Sequence, residues 1–281
     1  IEQIWFDLFE EFGSTEFLGY EHIETQGKIL AVLDANNLKI DKSKKIGEKL
    51  AIVTNQTSFY GESGGQQGDV GIIFSNNATI EVYDTKRMVS NLVVHYGILT
   101  KGTIKIGDEV ILKVNNDNRD SLKANHSATH LLHAVLRRKF GSNVVQKGSL
   151  VAPDRLRFDF SYPRGLTKTE ILEIENQVNY LIRKNTTTKT RLMDLDKAIE
   201  SGAVALFGEK YEEQVRVVSM GEEDINNPYS IELCGGTHVK RSGDIGLFKI
   251  ISESAIASSI RRIEALTGQK AMDYINQRVK L

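Results

Sequence analysis

The chain has 281 residues, 40% apolar and 26% charged, with a formal net charge of −1. That is the profile of a globular protein able to bury one large core or two modest ones. No apolar run approaches the ~20 residues of a membrane helix, and Ile1-Glu2-Gln3-Ile4-Trp5, with neither a basic region nor a small-residue cleavage site, does not read as a secretory signal. The lone cysteine, Cys234, rules out an intrachain disulfide, fits a reducing, cytoplasmic compartment and leaves a thiolate for metal ligation. The start lacks a methionine, so we expect a piece of a longer polypeptide.

Residues 1–27 carry seven acids and no Lys or Arg, and residues 1–11 fit a short helix or an extended linker. The stretches 29–33, 50–54, 70–74, 78–83, 92–99 and 109–114 then read as short strands, β-branched or alternating. Turn signals such as Asn36-Asn37, Ser75-Asn76-Asn77 and Ile106-Gly107-Asp108 separate them. Strands at this spacing predict a small β-barrel-like domain over 1–116. The pattern then changes. Asp117 or Asn118 caps a predicted helix that runs to about Phe140 and stops at Gly141, with Leu122, Leu131, Leu132, Val135 and Leu136 at helical spacing. Strands are expected over 143–151 and 156–160. Thr167-Lys168-Thr169-Glu170 resembles a capping box opening a helix to about Lys184. A strand over 186–194, a short helix over 196–201, strands over 215–219 and 246–252, and a helical pattern over 260–280 complete the chain. The expected fold is α+β: the barrel-like domain, a mixed α/β domain over 117–270, and the start of a C-terminal helix over 271–281.

The most informative residues are two histidine-bearing segments. His126-Ser127-Ala128-Thr129-His130 places two imidazoles at i, i+4 on one face of the predicted helix. Cys234-Gly235-Gly236-Thr237-His238 places a thiolate and an imidazole four residues apart, around two glycines that permit a tight bend. Together they offer three nitrogens and one sulfur, a tetrahedral ligand set for Zn²⁺. Such a set is either closed and structural or is joined by a substrate atom, and spacing does not choose between these. No glutamate sits between the histidines as in the HExxH motif of metalloproteases. His133 shares the helical face and reads as a neighbour or an outer donor to the ligands. His22 and His95, in the strand-rich part, read as structural or exposed. Residues 119–164 carry nine bases against three acids, a local net of +6 around the histidine helix. That field suits a polyanion such as RNA, and equally a solvated helix face laced with salt bridges.

Residues 126–136 (HSATHLLHAVL), 146–151 (QKGSLV), 156–160 (LRFDF), 202–211 (GAVALFGEKY), 215–220 (VRVVSM), 232–239 (ELCGGTHV) and 261–268 (RRIEALTG) resemble the editing domain of the alanyl-tRNA synthetase family. Residues 17–20 (FLGY) and 57–69 (TSFYGESGGQQGD) resemble the β-rich segment that precedes it. The resemblance runs in order from about residue 5 to 275. It implies a zinc-containing editing domain that hydrolyses tRNA(Ala) mischarged with serine or glycine. By motif, His126, His130, Cys234 and His238 resemble the zinc ligands. Gln146 falls at a glutamine of the editing pocket, and Gln146 and Thr129 become candidates to hydrogen-bond the serine hydroxyl or the water; the alternative roles are pocket lining for Gln146 and, as the favoured reading, helix packing for Thr129. Arg137, Arg138, Lys147, Arg261 and Arg262 become candidates to hold acceptor-stem phosphates. The partner implied is the acceptor end of tRNA(Ala), with no DNA and no membrane. ATP and Mg²⁺ would belong to an aminoacylation domain before residue 1, and the oligomerisation region would lie after Leu281.

A free-standing editing hydrolase shares these motifs, and a non-catalytic RNA-binding module with a structural zinc remains open. The Gly64-Gly65-Gln66 triplet is also the hydrolytic tip of peptide-release factors, but its context matches the synthetase segment; by itself it reads as a tight hairpin or bulge close to a neighbouring backbone. Ser259-Ile260 stands where the family usually has a small Gly-Val pair, and this bulk is expected to tighten the pocket floor. The segment 224–230 is longer than usual.

Overall fold

A computed structural model describes residues 2–205, 211–221 and 227–279. Residues 206–210, within the 202–211 motif, and residues 222–226, which take in the start of the 224–230 segment, fall outside the described residues. The chain divides into two compact units: 1–63 with 67–119, and 64–66 with 120–281. Among the described residues, no helix is long and apolar enough to cross a membrane.

The first unit opens with α1 (Gln3–Phe12). Besides several two-residue strands, six longer strands follow: β1 (Glu24–Leu33), β2 (Lys49–Thr54), β3 (Gly71–Phe74), β4 (Ala78–Arg87), β5 (Val93–Gly102) and β6 (Glu109–Val114). They pair in the order β6-β3-β4-β5-β2-β1, and β6 also pairs antiparallel with β1, which closes the barrel. Closure removes the unpaired edges of the sheet. The β2 sequence is apolar without alternation because both its faces are covered. Leu50 and Ile52 point into the barrel core with Ile73, Ile80 and Leu112, while Ala51 and Val53 lie under Trp5 and Leu8 of α1. A register shift between Ile29 and Ala31 does the same for β1. It puts Ile29 and Val32 on the barrel side and Ala31 and Leu33 on the helix side, a parity change that an unbroken strand forbids.

Arg119, counted above in the basic field, is a wholly buried member of this unit. Its Nε donates to both Asp69 carboxylate oxygens (3.1 and 3.0 Å), and its Nη atoms donate to the carbonyls of Gly19 (2.6 Å) and Ser58 (2.7 Å).

The second unit takes up the long helix α2 (Asn116–Phe140) from Asp120 onward. β7 (Gln146–Val151), β8 (Leu156–Ser161), α3 (Lys168–Lys184), β9 (Lys189–Asp194), α4 (Leu195–Glu200), β10 (Gln214–Met220), β11 (Ser230–Leu233), β12 (Phe248–Ala257), β13 (Ile260–Thr267) and α5 (Gly268–Arg278) follow. β7, β8, β13 and β12 form a four-stranded sheet in that order, and β9, β10 and β11 a three-stranded one. The main core joins Leu131, Leu132, Val135 and Leu136 of α2 and Ile174, Val178 and Ile182 of α3 to Phe158, Phe160 and Ile263 of the larger sheet. The expected capping box is present: Thr167 Oγ1 accepts from the Glu170 amide, and Glu170 accepts from the Thr167 amide.

One expected element is corrected. Residues 260–267 form β13, which folds back on β12 through Ser258-Ser259, and only Gly268–Arg278 is helical. Ile260, Ile263 and Leu266 recur every third residue and so mimic a helix. The structure instead buries Ile263, Ala265 and Thr267, at period two. Ser259 is exposed at the hairpin tip with φ +55°, so the residue expected to tighten a pocket floor is a turn residue.

Candidate metal centre

α2 positions the first pair of imidazoles. His126 and His130 stack one turn apart, with ring centroids 5.1 Å apart and planes 11° from parallel. The second pair arrives at the end of β11. The Cys234 amide donates to the Arg216 carbonyl (3.0 Å), and the chain then bends through Gly235-Gly236. The bend brings the His238 ring within 4.5 Å of the His126 ring and 4.8 Å of the His130 ring. Gly236 is required by space: a Cβ there would stand 2.1 Å from His126 Cε1 and 2.9 Å from Gln66 Oε1. The ligand atoms of His126, His130, Cys234 and His238 all lie within 4.8 Å of one another. Cys234 Sγ is 3.5 Å from His126 Nε2 and 3.3 Å from His238 Nε2. A tetrahedron with zinc–nitrogen and zinc–sulfur bonds of about 2.0 and 2.3 Å has edges of roughly 3.5 Å.

Each imidazole is held from behind through its other nitrogen. His126 Nδ1 is 2.7 Å from Gln66 Oε1, His130 Nδ1 is 3.2 Å from Glu232 Oε2, and His238 Nδ1 is 3.1 Å from Ser127 Oγ. Amide and carboxylate oxygens only accept, so Nδ1 of His126 and of His130 carries a proton, which leaves Nε2 as the nitrogen able to ligate a metal. His130 Nε2 is buried without a hydrogen-bond partner, an orphan that a metal would satisfy. The donor set therefore fits a zinc ion.

The charges agree with this. Burial opposes ionisation of Cys234, but His126, His238 and His130 outweigh it and hold the thiol well below its usual range. Glu232 is likewise held low against its burial by His130 and His133. Burial lowers His130, yet Glu232 and Cys234 overcome it and push it up to about 10 without metal. His238, where burial dominates over the pull of Cys234, is pushed down to about 3. Metal binding here would release the His130 proton.

His133 stands 3.1 Å from the second oxygen of Glu232, so one carboxylate serves two imidazoles. Sequence reasoning placed His133 as a neighbour but missed Gln66, Ser127 and Glu232. Glu232 carried one signal, its place two residues before Cys234. Ser127 carried none, and Gln66 was visible only as part of a turn.

The other expected site residues are dispersed. The Thr129 hydroxyl donates to the Asn125 carbonyl one turn back (2.8 Å). Gln146 begins β7 at a bulge. Arg262 makes a two-point pair with Asp159 (2.8 and 3.0 Å), and Arg261 pairs with Glu253; each hydrogen bond outweighs the desolvation it accompanies and raises the guanidinium further above its usual value. Arg137 donates to the Ser142 and Val144 carbonyls. Arg138 donates to the Pro228 and Tyr229 carbonyls and stacks on the Tyr229 ring at 3.8 Å. Lys147 is exposed on β7.

Comparison with known proteins gives two family matches. Residues 3–118 match tRNA synthetases class II (A), and residues 215–264 match the threonyl and alanyl tRNA synthetase second additional domain. The class is that of the class II aminoacyl-tRNA synthetases. The chain is 55% identical over 277 residues to an alanine–tRNA ligase of Parvibaculum lavamentivorans, covering 98% of this chain and 31% of the relative. Similar ligases of Rhizorhabdus wittichii (52% over 281 residues, 99% and 32%) and Rickettsia felis (50% over 280 residues, 100% and 31%) also match. The chain belongs to the alanyl-tRNA synthetase family, and it spans about a third of the length of the curated relatives it matches.

Proposed function

We propose that this chain is the editing part of an alanine–tRNA ligase, hydrolysing the ester of tRNA(Ala) mischarged with serine or glycine. The rest of such a ligase joins alanine to tRNA(Ala) with ATP and Mg²⁺. The observation that carries the reading is the convergence of His126, His130, Cys234 and His238, each imidazole fixed through its far nitrogen, in a chain that also matches the synthetases' second additional domain. These four residues would hold a zinc ion. When bound, the ion supplies Lewis acidity toward an amine, hydroxyl or carbonyl oxygen of the aminoacyl group. Because four protein atoms already fill a tetrahedron, we assign it to orienting the substrate and not to generating the nucleophile.

Selection of serine over alanine follows from unpaired polar groups. A buried site that hydrogen-bonds a hydroxyl rejects an analogue lacking it by ~10⁴-fold, whereas shape alone gives only ~10². Thr129, its proton engaged by Asn125, is suited to accept the serine hydroxyl proton. Gln146 is the candidate to position the water. For the acceptor stem we favour Arg137, Arg138 and Lys147. Among the described residues the hydrogen bonds of the first two go to neutral carbonyls, while Arg261 and Arg262 face carboxylates.

The second reading, a non-catalytic tRNA-binding module, draws support from the same closed ligand set. Release of serine from Ser-tRNA(Ala) separates the two. The editing reading expects hydrolysis by the wild-type chain at least tenfold above buffer, abolished in Cys234→Ala. A wild-type chain that binds the tRNA yet releases serine no faster than buffer leaves only the binding module.

A further inference from the structure

Gly64-Gly65-Gln66 belongs with the second unit, although the residues on either side belong to the first. The triplet is seated on β7. The Gly65 carbonyl accepts from the Val151 amide at 2.7 Å, and Gln66 makes a parallel bridge to Val151. Gly65 has φ +82°, and a Cβ there would stand 2.7 Å from the Ser149 carbonyl oxygen, so only glycine passes. The seat delivers a fully buried glutamine to the candidate metal centre.

All the hydrogen-bonding capacity used by that glutamine goes to the two metal-binding segments. Its Oε1 accepts from His126 Nδ1 (2.7 Å) and from the Thr237 amide (3.0 Å), and its Nε2 donates to Thr237 Oγ1 (2.8 Å). One carboxamide thus fixes the His126 tautomer and the bend between Cys234 and His238. A carboxamide oxygen cannot donate, so it tolerates His126 only with the proton on Nδ1 and the Nε2 lone pair directed at the metal position.

We propose that Gln66 is a positioning residue for the metal centre: it sets the His126 tautomer and the Cys234–His238 bend, and so determines how tightly the site holds zinc. This rests on the zinc reading given above. Loss of such a partner behind a ligating histidine typically weakens metal binding by about 10–100-fold. A carboxylate at position 66 would still accept from His126 Nδ1 and from the Thr237 amide. The Thr237 hydroxyl, which can rotate, would donate to it.

The test uses the full chain, with zinc affinity measured by competition against a chromophoric chelator and the His126 tautomer read from ¹⁵N long-range NMR of the imidazole. Gln66→Met, of similar length without donor or acceptor, is expected to bind zinc 10–100-fold more weakly and to lose the fixed Nδ1–H signature. Gln66→Glu is expected to stay within about threefold of wild type with that signature intact. Wild-type affinity and an unchanged tautomer in Gln66→Met would overturn the assignment, as would Gln66→Glu binding as weakly as Gln66→Met. A wild-type chain that binds no zinc overturns the metal reading itself, and this inference with it.

Discussion

Three buried polar residues show how the surroundings assign a role. His95 and His130 are both imidazoles in the interior, yet they are driven in opposite directions. Among the described residues His95 has no acid paired with it: Nδ1 donates to the Ile52 carbonyl (2.9 Å) and Nε2 accepts from Thr57 Oγ1 (2.7 Å), which suits the neutral ring. Burial pushes it down to about 4, against a small opposing effect of the Ile52 carbonyl. A histidine whose folded value is depressed binds its proton in the unfolded chain first. The barrel should therefore lose stability as pH falls from about 6.5 to about 4, by roughly 3 kcal/mol from this residue. The single tryptophan, Trp5, lies in this unit, so urea unfolding followed by its fluorescence at pH 7 and pH 4 reads the effect; His95→Gln should flatten the profile, and an unchanged slope in that variant refutes the account. Arg119 is the third case. It counts toward the basic field of residues 119–164, whereas its charge is fully engaged by Asp69 inside the protein. Arg119→Met should cost about 3–5 kcal/mol by leaving Asp69 buried and unpaired. A loss below 1 kcal/mol in denaturant titration would show that the pair is not needed. Local spacing reveals residue type and period; it does not reveal which acid, 50 positions earlier, awaits an arginine.

At the scale of elements, legibility followed the uniqueness of the period. α2 and α3 were readable because apolar residues at helical spacing coincide with end signals, down to the Thr167–Glu170 box. That box makes a specific forecast: Thr167→Ala should destabilise the second unit by about 1 kcal/mol, seen as a lower denaturation midpoint, and Thr167→Ser should not. The barrel strands were readable from their β-branched runs, but the shift at Ile29–Ala31 was not, since a bulge alters pairing without altering composition. β13 failed for a related reason: a three-residue recurrence of isoleucine and leucine satisfies a helix until β8 and β12 claim both edges of the segment as a strand. The turn that allows this has a serine with positive φ, a conformation costing about 1 kcal/mol more than it does for glycine. Ser259→Gly should leave stability unchanged or raise it by up to about 1 kcal/mol; a clear loss would mean that the Ser259 side chain makes a contact of its own.

Across the whole molecule, the site separates into what spacing encodes and what only folding supplies. The two motifs named all four candidate ligands. The groups behind them, Gln66, Ser127 and Glu232, come from separate segments, and Gln66 meets His126 across 60 residues and Thr237 across 171. A metal held by such scattered groups binds the folded chain and not the unfolded one. Zinc at a hundredfold above its dissociation constant should add about 2.7 kcal/mol, visible as a higher calorimetric midpoint that EDTA reverses and Cys234→Ala abolishes. Identical midpoints with and without zinc would sink the metal assignment. The same separation sets a clock on biosynthesis. A ribosome adding about 5–20 residues per second needs roughly ten to thirty seconds to travel the 171 residues from Gln66 to Thr237. Throughout that interval the glutamine has emerged, and later the paired histidines too, with no thiolate to join them. Loading with metal and completion of the CGGTH bend thus fall at the same moment of synthesis.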